Sequence, residues 1–401
     1  MGEVFLPSRS RKTTFVFAPF RSIAYGTPGE IAMKRISALL VFSLLAACSL
    51  PQPRTNSAAS SEEPPPASVE PRKMESNAGC SPVLPEAIPE ENRYATVVEE
   101  FEVVAPSGSR LYGLIRRPDP AGYPGLCFAA VVLVPGGINP GRTGAFDEDA
   151  KMLASAGMAV LTFNAEGRVD ERMPEDKRSE GAEDYNGFRN QDGLCAVVEY
   201  AADLSNVISG NVGIASHSFG IAMAAGCAGR HPDAPVKYLV DGEGPPDSFV
   251  TCHEPSALDS DPSNNKVELI HGILGRYSIS RDPSEENRAF WAEREAIRFI
   301  GKYRGRYLRL QATWDHAQPP QSEADIAAFT VPPVWWPNKH TTDIVNAAVS
   351  DGVPWVRVNL PEQGNAVNAT FDMDHPPVYL PGTLKEKPWS VRAILEMARM
   401  P

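Results

Sequence analysis

Apolar positions change their period along the chain, and those changes lay out its elements. Residues 95–105 and 110–116 are rich in β-branched and aromatic side chains and are joined at Pro106-Ser107-Gly108, which predicts a hairpin. Ala129 to Val134 is a continuous apolar run of the kind that forms a strand buried on both faces, and it stops at Pro135-Gly136-Gly137. The pattern then alternates. Phe146 to Ala156 reads as a helix and Ala159 to Phe163 as a strand. Residues 190–204 carry Leu194, Val197, Val198 and Ala201 on one helical stripe. Further strands are predicted over 211–215, 237–240, 307–312 and 355–360, with helices over 218–230 and 341–349. Strand–helix alternation of this kind predicts an α/β fold with a mostly parallel central sheet and helices on both faces. Residues 244–288 are polar and Pro-containing and break the rhythm, so a small inserted cap over the sheet is expected there.

The first ninety residues have a different character. Met33-Lys34-Arg35 followed by the apolar run Ile36 to Ala47 has the layout of an export signal, too short to read as a spanning helix. Its ending, Leu45-Ala46-Ala47-Cys48, resembles a bacterial lipobox. That resemblance implies a lipid anchor on Cys48, and Ser49 after it favours the outer over the inner membrane. Residues 1–32 show no pattern of their own, and Met33 is the expected initiator. Residues 49–90 are rich in Pro, Ser, Ala and Glu and read as a disordered spacer, leaving 91–401 as the folded body.

Charge narrows the partners. The chain carries a net charge of −12, with its basic residues over-represented before residue 48, so the body is strongly acidic. That argues against nucleic acid and against polybasic docking on anionic lipid. If Cys48 is lipidated, Cys80, Cys127, Cys195, Cys227 and Cys252 remain. In an oxidising compartment they allow one or two disulfides with at least one thiol left over, in a pairing the sequence does not give. There is no C-x-x-C or H-E-x-x-H spacing, so no metal site is expected.

The chemistry centres on Ser216-His217-Ser218-Phe219-Gly220, which lies between a predicted strand and a helix of small residues. A serine there, with Gly two residues later, has the form of a nucleophile elbow, a tight turn that lifts one hydroxyl above the sheet edge. The usual pattern is G-x-S-x-G, and Ser216 stands at the first Gly, a position that needs a small side chain more than positive φ. An activated serine needs a base, and an acid to orient the base. His375 lies beyond the last predicted strand and is the expected base, with His316 the alternative. His217 lies inside the turn, His340 is expected at the surface, and His231, His253 and His271 fall in a helix end and the cap. Asp315, at the end of the preceding strand, is the expected acid, with Asp241 and Glu243 as alternatives. The oxyanion-hole donors are expected to be the N–H groups of Phe219 and Gly137. Phe290, Trp291 and Tyr277 are candidates for lining an acyl pocket under the cap.

Taken together, the strand ending at Pro135-Gly136-Gly137, the S-H-S-F-G turn, Asp315 and His375 resemble the α/β-hydrolase superfamily over residues 95–400. Phe163 to Arg168, Glu183 to Gly187 and Phe290 to Ala296 make the chain look like its dienelactone-hydrolase and prolyl-oligopeptidase-type branches. It departs from them in lacking the first elbow Gly, in having Ser rather than the Cys of true dienelactone hydrolases, and in having no preceding β-propeller. The resemblance implies two-step acyl transfer through Ser218, Asp315 and His375 without a cofactor. The expected activity is hydrolysis of small carboxylic esters by a membrane-anchored lipoprotein on the periplasmic side or at the outer membrane. Two other readings stay open. One is an aminopeptidase or acyl-peptidase on the same fold, with Glu166 and Glu243 as candidates to hold an amine. The other is an inactive hydrolase fold kept for binding.

Overall fold

The computed structural model describes residues 79–87, 93–137, 141, 146–168, 174–247, 288–316, 335–386 and 388–401. The export signal, Cys48 and most of the expected spacer and cap lie outside these residues. Strands β2 (Thr96–Val104) and β3 (Arg110–Pro118) form the predicted hairpin, paired antiparallel from Thr96↔Pro118 to Val104↔Arg110. β4 (Leu126–Val134) is the continuous apolar run, buried from Cys127 onward. Next come α1 (Asp147–Ser155), β5 (Met158–Phe163), α2 (Phe188–Asp203), β6 (Val207–His217), α3 (Gly220–Arg230) and β7 (Val236–Gly242). Beyond the cap region lie two short helices, α4 (Arg288–Ala292) and α5 (Ile297–Ile300), then β8 (Arg306–Leu310), α6 (Trp335–Ser350), β9 (Trp355–Val358) and α7 (Trp389–Arg399).

The strands lie in the order β2-β3-β5-β4-β6-β7-β8-β9. β3 pairs antiparallel with β5, and every later neighbour is parallel. Helices cover both faces, because a doubly buried parallel sheet must hide two apolar surfaces. One core joins β-strand side chains such as Val132 and Ile214 to α2, α3, α5 and α6. The other joins Val131, Val160 and Leu308 to α1 and α7. Each large apolar side chain in these layers contributes roughly 1.5–3 kcal/mol on burial, before chain entropy is counted. Where β7 and β8 lie side by side, Asp241 pairs with Arg309 at 2.6 Å, both fully buried. Tyr307 donates to the same carboxylate at 2.8 Å, so the buried Asp241 charge is met by both a guanidinium and a hydroxyl.

Three local expectations change. Residues 79–87, assigned by composition to the spacer, hold β1 (Ser81–Val83), which pairs with the start of β4 and is tied to it by a Cys80–Cys127 disulfide. A strand of three residues has no readable period, and it is the covalent link and neighbouring β4 that fix it. α6 begins six residues before the predicted start and takes Pro337 in its first turn, where the missing N–H costs little. His340 is therefore inside the helix and buried, not at the surface. The second disulfide, Cys195–Cys227, clamps α2 to α3.

Candidate active site

Ser218 sits in the left-handed region at φ +52°, at the sharp turn between β6 and α3. Such a conformation is costly for a residue with a Cβ and persists only where its surroundings fix it. Its N–H donates to Gly242 O of β7 at 2.8 Å, which holds the turn over the carboxyl ends of the central strands. Close approach explains the flanking glycines. A Cβ on Gly220 would lie 2.6 Å from Pro135 O, and one on Gly136 would lie 2.7 Å from Ser218 Cβ. Ser216, at the position usually held by the first Gly, is buried within β6 and is not left-handed. A small side chain suffices there, as the sequence suggested.

Beside the turn, Gly137 is left-handed at φ +59° at the end of β4. Asn186 links it to the Ser218–Phe219 segment. The Asn186 Nδ2 amide donates to Gly137 O at 3.2 Å and to Phe219 O at 2.9 Å. One carboxamide thus pins the two backbone segments expected to supply oxyanion donors. Asn186 is itself fully buried, left-handed at φ +62°, and fixed on every side. Asn190 accepts from its N–H at 3.0 Å, Gln191 donates to its carbonyl at 3.1 Å, and Arg168 donates to its Oδ1. The sequence had placed Asn186 in a family-like motif without giving it this part. Next to it, Tyr185 packs on Phe219 with ring centroids 4.9 Å apart, and Phe290 and Trp291 pack behind Tyr185. The expected pocket aromatics thus brace this segment; Tyr277 lies outside the described residues.

Acid–base groups converge from three strand ends. Glu243, just after β7, is buried and left-handed at φ +55°. Its Oε1 accepts from Ala312 N at 3.2 Å, and its Oε2 accepts from His316 N at 3.2 Å and faces His316 Nδ1 at 2.8 Å. A carboxylate only accepts, so His316 Nδ1 carries the proton and Nε2 keeps its lone pair. Asp315 is buried alongside, 3.4 Å from His316 Nδ1, and accepts from Gln311 Nε2 at 3.0 Å. Burial and the neighbouring Asp315 charge raise the Glu243 pKa, while the His316 hydrogen bonds and charge oppose that rise. The His217 and His316 rings lie 4.4 Å apart. Burial, reinforced by His316, pushes the His217 pKa down to about 3.

The structure does not bring His375 to this cluster. Its side chain is 85% exposed and pairs with Asp372 at 3.0 Å. Asp372 also accepts from the Asp374 and His375 N–H groups, so the loop tip is closed on itself. The loop leading to it is laced to β9 and α6 by asparagines: Asn365 donates to Val358 O and Val378 O, and Asn346 of α6 to Phe371 O. Those bonds set where the loop runs, and a sequence spacing cannot show them. Asp315 reaches the site, but its imidazole neighbours are His316 and, at 4.0 Å, His340. Asp241 is committed to Arg309. Glu166 accepts from Ser107 Oγ at 2.6 Å and is held with the turn after β2, whereas Glu243 is bonded to His316.

The strand order, the parallel core and the serine turn after β6 decide the fold. It is the α/β-hydrolase fold. No protein-family model matches the sequence, and no curated protein matches it. Among solved structures, a puromycin hydrolase aligns over 77% of this chain and 39% of its own, with 15% identity and a TM-score of 0.48. The acylaminoacyl peptidase of Pyrococcus horikoshii aligns over 75% and 40%, with 12% identity and a TM-score of 0.46. An acetyl xylan esterase from Paenibacillus sp. R4 aligns over 62% and 78%, with 15% identity and a TM-score of 0.41. The aligned part is well under half of the two longer proteins. What these proteins act on stays with them.

Proposed function

We propose that the protein is a serine hydrolase working through an acyl-enzyme, with carboxylic esters as substrates. The observation that carries this reading is the left-handed Ser218, next in the chain to His217, whose ring lies 4.4 Å from a half-buried His316 that is bonded to buried Glu243 at 2.8 Å. Ser218 is the nucleophile and His316 the base, in place of the expected His375. Glu243 is the orienting acid, with Asp315 behind it. In the first step His316 Nε2 takes the Ser218 Oγ proton as Oγ attacks the substrate carbonyl. The oxyanion is met by the N–H groups of Phe219 and Gly137. His316 then gives its proton to the leaving alkoxide, which departs as an alcohol. Water repeats the sequence on the acyl-enzyme and releases the acid.

Esters are favoured over N-terminal peptides because both oxygens of Glu243, one of the two residues expected to hold an amine, already accept N–H groups of Ala312 and His316. The reading of an exported, membrane-anchored lipoprotein is supported by the Met33–Cys48 segment and by two disulfides, which persist in oxidising compartments. The test compares short-chain p-nitrophenyl esters with aminoacyl p-nitroanilides, using wild type and Ser218→Ala. Ester turnover that Ser218→Ala abolishes is expected. Turnover of the anilides alone would overturn the ester assignment, and no turnover of either by folded protein would favour a binding role.

A further inference from the structure

His217 has no part in the acyl-transfer scheme, yet the fold makes room for it at the centre of the site. Its ring lies between two glycines. Cβ positions on Gly136 and Gly242 would come within 3.3 Å and 3.5 Å of it. Among the described residues its imidazole hydrogen-bonds to none, and its close neighbour is the His316 ring at 4.4 Å. One ligand atom each from His217, His316 and Glu243 lies within 4.8 Å of the other two. The three come from the end of β6, the residue after β7 and the loop after β8, so three separate backbone segments converge on one point.

We infer that His217, His316 and Glu243 form a Zn2+ site beside Ser218, through which zinc reversibly blocks the reaction. Two imidazole nitrogens and one carboxylate oxygen match the donor set of zinc sites that keep a fourth position open. Zinc–ligand bonds of about 2.0–2.2 Å in a tetrahedron put the donors roughly 3.3–3.6 Å apart, so side-chain rotation of about an ångström closes the site. The outer contacts are already in place. Glu243 is fixed by the Ala312 and His316 N–H groups, and buried Asp315 supplies a second negative charge near the dication. The surface pairs His375–Asp372 and His231–Asp192 show one histidine and one carboxylate each, and among the described residues no third donor joins either. On binding, zinc takes up the His316 imidazole, and any proton it displaces goes to solvent. His316 is then lost as a base. Only this inhibitory half rests on the serine-hydrolase reading.

The test uses the full chain after dialysis against EDTA. Zn2+ affinity is measured by competition with a chromophoric chelator, and Co2+ serves as a spectroscopic substitute. The expected result is a high-affinity Zn2+ site that His217→Ala weakens more than ~10-fold and His375→Ala leaves unchanged. Tetrahedral Co2+ absorption bands should be present in wild type and absent from His217→Ala. His217→Asn, with circular dichroism on each protein, covers the case in which the alanine variant does not fold. The zinc concentration that halves labelling by a fluorophosphonate should rise more than ~10-fold in the His217 variants, each referred to its own zinc-free rate. Equal Zn2+ affinity in wild type and both His217 variants would overturn the site. Zinc binding that depends on His217 in a protein whose Ser218 is never labelled would support the metal site and overturn the hydrolase reading.

Discussion

Replacing Glu243 with Gln tests the acid–base assignment at its narrowest point. The Glu243 carboxylate receives three N–H groups: Ala312 N on Oε1, and His316 N and Nδ1 on Oε2. A carboxamide of the same shape has one acceptor oxygen, so it cannot serve both sides. With its oxygen toward His316, its NH2 faces the Ala312 N–H, and a buried donor loses its partner at a cost of about 1–3 kcal/mol. With the NH2 toward His316, it meets the backbone N–H and forces Nδ1 to become an acceptor. That moves the imidazole proton to Nε2, the nitrogen that must take the Ser218 proton. Removing the orienting acid in a serine triad by such an amide swap lowers kcat by about 10⁴-fold. Asp315 remains 3.4 Å from His316 Nδ1 and can hold part of the correct tautomer, so a fall of about 10²–10⁴-fold is expected. The assay is steady-state hydrolysis of a p-nitrophenyl ester at pH 8, with KM and kcat separated and folding checked by thermal denaturation. The fall should be in kcat. An unchanged kcat in folded Glu243→Gln, together with a large loss in Asp315→Asn, would move the acid role to Asp315 and refute the reasoning.

Further outcomes follow from the surrounding network. Asn186→Asp keeps the acceptor that Arg168 uses but turns an acceptor toward the Gly137 and Phe219 carbonyls, so kcat should drop by about 10–10³-fold with little change in KM. Asn186→Ala, in a left-handed position, should in addition lower stability by about 2–4 kcal/mol, read by urea denaturation. Buried His340 is held neutral, its pKa pushed down from 6.5 to about 3 chiefly by burial. The unfolded chain therefore binds the extra proton first, and stability present above pH 6.5 is lost as pH falls toward 3, by up to about 1.4 kcal/mol per pH unit. His340→Gln should flatten that part of the pH–stability curve, and identical slopes would contradict it. Cys195 and Cys227 are 32 residues apart, so replacing both with Ser should cost about 3–4 kcal/mol in the chain-entropy account. An unchanged Tm would show that the α2–α3 packing needs no clamp.

Much of the scaffold was legible in the sequence because long parallel strands write themselves as apolar runs. The stretch Ala129 to Val134, the 190–204 stripe and the small-residue helix after Ser218 all declare their environment locally. The serine turn after β6 was legible for the same reason, since Ser216, Ser218 and Gly220 are local requirements of one bend. The place of the proposed base was not. His316 and His375 both follow late strands, and what separates them is the loop after β9, which asparagine side chains route and Asp372 closes around His375. Glu243 shows as a site residue only when its left-handed backbone and its bonds to Ala312 and His316 are seen together. His340 was expected at the surface because it stood at the start of the helix predicted over 341–349, whereas the helix begins at Trp335 and carries His340 inside it. α7 lies beyond the last predicted strand, and its apolar face, including Trp389, Ile394 and Leu395, is buried against the sheet.

The most direct test of the central claim is fluorophosphonate labelling of the folded protein beside Ser218→Ala, His316→Ala and His375→Ala. Labelling of the wild type, its loss in Ser218→Ala and His316→Ala, and its survival in His375→Ala are the predicted results. Loss in His375→Ala with survival in His316→Ala would return the base to the loop after β9 and contradict the site described here.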